Sequence, residues 1–400
     1  MKKVCLWLQL FCVFMLMFSL MGETKPAFAD SKAQQNVEEE LQEEVGESLK
    51  DLISSDLEHY FEELNKTTDY NFGKSLKQFI KDVISGKTDF TVDAILGVLA
   101  ASAKGNLVSI LSSLVTIIVL SVLYGVSKSI NSGFIKENTS QVIYFAVYGA
   151  IIATLGAIVV SAVATTRKVL VSISALVDIS MPVFITLITA IGGVSGTAVY
   201  QPVTLVVSSV AIKTIEYAIM PLFFSRIVFG MIGNLTGNVK LDELTKTLRI
   251  VANWILGIVF SVIGVLISVQ GIVGASIDNV SIRSTKFALS SYVPILGGYL
   301  SDGFDIVLAS GVLIKNAFGF AGVMMLIAVI TGPILKILVI SLSLRLVAGI
   351  VEPVSDEKIS GLLYTTGKNL SLLISIILGL FFLVFIIFML IITSCNAGVG

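Results

Sequence analysis

Charge is scarce where this chain is long. Of its 28 Asp and Glu, 11 fall in residues 105–400, and 16 crowd into residues 30–104. A soluble core of nearly 300 residues needs far more polar surface than that. Cysteine is scarcer still. Of the three, Cys5 and Cys12 lie in the first apolar run, which leaves Cys395 alone in the remainder and excludes an intrachain disulfide there. His59 is the one histidine, among Asp56, Glu58 and Glu62, which removes Ser-His-Asp catalysis and zinc-protease helices from consideration and reads as a solvated helix residue. Phosphate loops fail on spacing. Gly361 stands one residue too far from Gly367-Lys368, with Asn369 in place of Ser or Thr, and Gly86-Lys87-Thr88 has Lys81 where the upstream glycine belongs. Neither an enzyme nor a metal or cofactor site is expected.

Apolar runs fill the space that charge leaves. Leu370–Thr393 is 24 residues without a formal charge. At about 1.5 Å per residue it is long enough for a hydrocarbon core of about 30 Å. The fold class expected is all-α, a polytopic integral membrane helical bundle with a small N-terminal extracytoplasmic helical domain. Spans are predicted at 106–127, 141–164, 169–191, 203–236, 250–268, 306–330, 334–351 and 370–393, about eight in all. Pro221 would kink the fourth or divide it in two.

Residues 1–29 have the form of an export signal, with Lys2 and Lys3, an apolar stretch to Met21 and an Ala27-Phe28-Ala29 cleavage site. An uncleaved anchor is the alternative. Residues 30–104 carry 16 acids against 8 Lys, and an acidic domain does not fit a nucleic-acid backbone. Within it, Leu57, Tyr60, Phe61 and Leu64 belong to an amphipathic stripe over 36–66, Leu76, Phe79, Ile80, Val83 and Ile84 to a second, and Thr91 caps a third helix. These stripes either pack internally or face a partner helix. Arg167 and Lys168, after the second span, sit uneasily with an exported N-terminal domain under the positive-inside rule.

Charges inside the spans carry the chemical information. Asp178 lies one turn before Pro182. Lys213 and Glu216, three residues apart, form a natural ion pair, and Arg226 follows beyond Pro221. These groups either line a polar path or serve static roles. Lys336 and Arg345 are expected to snorkel to the headgroups. Gly149, Ala153, Ala157 and Ser161 form a small-residue stripe that reads as a helix-packing face. Pro182 and Pro221 are spaced like Pro294 and Pro333, a pattern that fits a repeated broken-helix architecture.

Residues 266–320 mix polarity between apolar spans. They contain Ser268-Val-Gln270-Gly271, then Arg283-Ser-Thr-Lys286-Phe287, then Val293-Pro294-Ile-Leu-Gly297, then Asp302 and Asp305, and then Leu313-Ile-Lys315-Asn316-Ala-Phe-Gly319. This order resembles the stage III sporulation protein AE family of endospore-forming bacteria, over the whole chain. The resemblance implies a component of the mother-cell membrane around the forespore, within the channel complex that joins the two cells and looks like a specialised secretion apparatus. It implies sibling partners from the same operon: a cytoplasmic ATPase, ring-forming and membrane subunits and, indirectly, a forespore-side channel protein. It brings no catalytic residues. Gln270, Gly271, Arg283, Lys286, Pro294, Asp302, Asp305 and Lys315 are the candidates for the polar path or subunit contacts. An independent transporter of a small solute or ion, and a purely structural scaffold, are the competing functions.

Overall fold

The computed structural model describes residues 53, 55–68, 75–84, 110–126, 137–191, 206–236, 241–292 and 297–394. The export signal, the start of the first amphipathic stripe and the Thr91 cap lie outside them. The described residues all fall in one compact unit, Ile53–Gly400, and contain no strand.

Two short amphipathic helices come first, α1 (Ser55–Thr67) and α2 (Leu76–Ile84). Their predicted apolar faces are buried at Leu57, Tyr60, Phe61 and Leu64 on α1 and at Leu76, Phe79 and Ile80 on α2, while Val83 and Ile84 at the end of α2 are half-buried. The Phe61 and Phe79 rings meet at 5.8 Å. Both helices also pack against a long apolar helix, α8 (Gly297–Val351), and α1 packs against α4 (Glu137–Ala190) as well. The stripes are therefore used inside the molecule.

The apolar part contains α3 (Ile110–Val126), α4, and a continuous helical rod from Val206 to Thr236. Then follow α7 (Asp242–Tyr292), α8 and α9 (Glu357–Thr393). Five helices are long and apolar enough to cross a membrane: Phe145–Ala190, Ser209–Gly233, Glu243–Ile267, Leu308–Val351 and Glu357–Thr393. The chain is an all-α polytopic membrane protein.

The expected divisions between spans differ in three places. Spans 141–164 and 169–191 are one helix, α4, because Arg167 and Lys168 are good helix formers and interrupt only the apolar pattern. Spans 306–330 and 334–351 are likewise one helix, α8, which runs through Pro333. The span expected to end near Gly271 continues to Tyr292.

Pro221 does not split its segment. The rod runs through a π-helical segment (Val206–Ala211), a single α turn α5 (Ile212–Thr214), a second π segment (Ile215–Ile219) and α6 (Met220–Thr236). The Met220 N–H reaches back five residues to the Ile215 carbonyl, so the wider turn accommodates the proline that follows. Of the prolines in the repeat, Pro182 and Pro333 lie inside α4 and α8, Pro221 follows a π segment, and Pro294 is outside the described residues.

The core is the α8–α9 hairpin. Pro353 follows the end of α8, and the Ser355 N–H closes the turn onto the Val351 carbonyl at 2.8 Å. Asp356 caps α9 by accepting from the Lys358 N–H at 3.0 Å. Close approach along the hairpin depends on glycine. A Cβ on Gly367 would stand 2.8 Å from the Ser341 carbonyl oxygen, and one on Gly379 would overlap the Phe260 ring of α7. At the far end Phe388 packs on Gly322 and meets Phe184 of α4 at 5.6 Å.

Candidate functional site

Polar side chains within the apolar helices gather at two levels of α9. At its C-terminal end Lys315 of α8 is wholly buried. Its Nζ donates to the Ile392 carbonyl at 3.2 Å and to the Ser394 carbonyl. A helix end leaves its last carbonyls without intrahelical donors and carries partial negative charge, so a buried ammonium there is both bonded and electrostatically favoured. Gly319, one turn on, lies so close to Ile392 that a Cβ would overlap it. The spacing of Lys315 and Gly319 thus has a local cause: one caps α9 and the other lets α9 come near.

The second level is at Gly367–Asn369. Arg226 of α6 is 8% exposed and donates to Asn369 Oδ1. Ser341 donates to the Gly367 carbonyl at 2.7 Å, and Arg345 reaches the same oxygen at 3.4 Å. Arg345 is therefore held inside the hairpin, where snorkelling was expected. Ile392 lies 23 residues beyond Asn369, a rise of about 35 Å, close to the thickness of a hydrocarbon core.

Glu216 takes a different partner from the one its spacing predicts. Its Oε1 accepts from Arg167 of α4, with 2.7 Å from Nε, and the pair is half open to solvent, 64% and 23% exposed. Glu216 lies in the second π segment, where each residue turns through a smaller angle than in an α-helix. The smaller steps into that segment rotate it away from Lys213, which lies in the preceding α turn and is exposed. Asp178 is also exposed and accepts from the Ser174 hydroxyl at 3.2 Å.

The stripe Gly149, Ala153, Ala157 and Ser161 faces outward, and a Cβ on Gly149 would meet nothing within 4 Å. Among the described residues it packs no helix of the same chain, because α4 turns its larger residues, among them Tyr148, Ile151 and Leu155, to the core. The Tyr148 hydroxyl donates to the Met231 carbonyl at 3.1 Å. Gln270, Gly271, Arg283 and Lys286 lie on α7, and Asp302 and Asp305 on α8; their side chains, like Pro294 entirely, lie outside the described residues. Of the polar-path candidates, Lys315 alone is placed in full.

Sequence reading missed Asn369 and Gly367, which it had weighed only against a phosphate loop. Their signal was there in outline: a glycine and an amide inside the most apolar helix, opposite the basic residues of α6 and α8.

The family model described as stage III sporulation protein AE matches residues 74–395. The chain belongs to this family. Stage III sporulation protein AE of Bacillus subtilis (strain 168) is 26% identical over 297 residues, 74% of each chain. No solved structure matches. The match begins just before α2 and runs to the capped end of α9, so it takes in both polar levels. Membership assigns the protein a role in sporulation.

Proposed function

We propose that the chain is a membrane-embedded subunit of the mother cell–forespore channel, a secretion-like complex used during endospore formation, and that it resides in the mother-cell membrane around the forespore. Its partners in this reading are the sibling stage III subunits: the ATPase, the ring-forming proteins and the other membrane components. It works by assembly and carries no catalytic step.

The observation that supports this is the length of exposed apolar surface on α4. The apolar part of this helix, Phe145–Ala190, rises about 69 Å, more than twice a hydrocarbon core. Val142, Phe145, Val160 and Val171 are exposed along it. An apolar helix of this length exceeds what one layer of lipid tails covers, and a sibling subunit on part of it accounts for the excess. The outward stripe Gly149–Ser161 permits close backbone approach there.

Leucine at Gly149 and Ala153 tests the reading in sporulating cells. The expected result is normal protein accumulation with spore counts reduced at least tenfold and loss of in-cell crosslinks to the sibling subunits. Normal sporulation with the stripe blocked overturns it. The π-helical segments around Lys213 and Glu216 favour a second reading as an independent transporter, since such segments recur at functional sites. Solute movement by the purified chain alone in liposomes would select that one.

A further inference from the structure

The outward face of α4 changes character at Arg167. Over residues 142–164 the helix has no charge, and its exposed residues, among them Val142, Phe145, Gly149 and Val160, are apolar or small. Arg167 and Lys168 follow, both exposed, and Arg167 ties the helix to Glu216 of the rod. Beyond them the exposed residues are Val171, Asp178, Pro182, Thr186, Thr189 and Ala190, and Val171 is the one large apolar side chain in that set. The apolar residues that give this half its hydropathy, such as Ile173, Leu176, Phe184 and Leu187, are buried inside the protein. Residues 169–190 thus have the composition of a membrane span without the surface of one.

Neighbouring helices place water and lipid around it. The Tyr60 hydroxyl of α1 donates to the Ser172 carbonyl at 2.8 Å, and the other side of α1 exposes Asp56, His59, Glu62 and Lys66. A face so charged is excluded from hydrocarbon, so water reaches α4 beside Ser172. Helix α7 has the opposite surface. Over residues 250–266 it has no charge and exposes Trp254, Ile258, Val262 and Val265, bulky side chains suited to lipid. Both helices start at one end of the bundle, since Tyr148 of α4 bonds Met231 of α6 and a Cβ on Gly233 of α6 would meet Leu241, just before α7, at 3.4 Å. Yet α7 exposes Glu243, Lys246 and Arg249 before its apolar face begins, whereas α4 is apolar from Val142.

We propose that the bilayer crosses the bundle obliquely, that its boundary on α4 is the Arg167–Glu216 pair, and that residues 169–190 stand in water. The stretch left to lipid, 142–164, rises about 33 Å, close to one hydrocarbon core. The apolar side of the protruding half is already covered by this chain: α1 at Ser172, Phe388 of α9 at Phe184, and Gly311 of α8 at Ile191. A subunit seated on its outer face docks from the aqueous side. The boundary belongs to the single chain and does not depend on the channel assembly.

The test uses the full chain in liposomes of phosphatidylcholine and phosphatidylglycerol, with Cys5, Cys12 and Cys395 changed to serine. Single nitroxide labels go on cysteines placed at Ala153, Asp178, Thr186 and Val262, all exposed positions. Each label is read by its collisions with oxygen, which concentrates in lipid, and with a water-soluble nickel chelate. Oxygen should dominate at 153 and 262, and the chelate at 178 and 186. Oxygen dominance at 178 and 186, or shielding of both from either reagent, overturns the proposal, and so does chelate dominance at 153. An unlabelled pair of variants checks the same boundary in cells lacking the sibling subunits. Thr186→Lys should accumulate like wild type, and Ala153→Lys should accumulate roughly tenfold less, because a lone ammonium there faces lipid. Equal loss in the two variants would put both halves of α4 in the bilayer.

Discussion

The α8–α9 hairpin and helix α4 are both long, apolar and interrupted by charge, yet they live in different solvents. In its most apolar stretch α9 is 67% buried inside the protein, whereas α4 is 39% buried. The most lipid-like sequence in the chain is thus the one most enclosed by protein. Apolar character measures exclusion from water and does not distinguish lipid from protein as the replacement. What separates the two helices is the small residues. In the hairpin, glycine sits where a neighbour touches it, as at Gly367 and Gly379. On α4, a Cβ added to Gly149 or Gly156 would meet nothing within 4 Å.

That contrast gives the largest expected effect. Gly367→Ala puts a methyl group against the Ser341 backbone and the Arg345 side chain. It should cost about 2 kcal/mol, since the obstructing atom is main chain and cannot swing aside. Gly149→Ala should have the opposite sign in the purified chain, a gain of up to about 1 kcal/mol from helix propensity. Thermal unfolding in detergent measures both. Equal destabilisation would mean that α4 is as tightly enclosed as α9.

Charge sharpens the same comparison at intermediate size. Lys315 is buried at the end of α9, and Lys213 is exposed on α5. Lys315→Met leaves the Ile392 and Ser394 carbonyls without this donor and should cost about 1–3 kcal/mol. Lys213→Met should stay within about 0.5 kcal/mol, as surface changes do. If the two variants unfold at the same temperature, the cap at the end of α9 is not holding the hairpin.

Much of this was legible in the sequence, and the failures have physical causes. The buried faces of α1 and α2 follow from period 3.6 alone, down to Tyr60 and Phe79. So does the all-α membrane class, from the length of the apolar runs. Helix continuity was not legible. Arg167-Lys168 and Pro333 break the apolar pattern without breaking the helix, because the backbone bonds do not require apolar side chains and a proline removes one donor only. The Glu216 partner was lost to a change of helical pitch that no spacing rule contains. The stripe on α4 was read correctly as small, but the side it faces depends on larger residues elsewhere on the same helix.

The smallest effect concerns how the N-terminal helices hold to α4. The Tyr60 hydroxyl donates to the Ser172 carbonyl at 2.8 Å, and this is a point of attachment between α1 and the long helix. Burial first, and the Glu63 carboxylate second, push the Tyr60 phenol above its ordinary titration range. A group whose folded-state titration is raised contributes stability that is complete below its unfolded value, about pH 10 for tyrosine, and is lost as pH rises toward the folded one. Tyr60→Phe should therefore cost about 1 kcal/mol at neutral pH. It should also flatten the loss of α1 protection above pH 10, read by amide hydrogen exchange corrected for the intrinsic rate. A variant that keeps the wild-type alkaline profile would place the titrating group elsewhere and leave α1 held by the Leu57, Phe61 and Leu64 contacts alone.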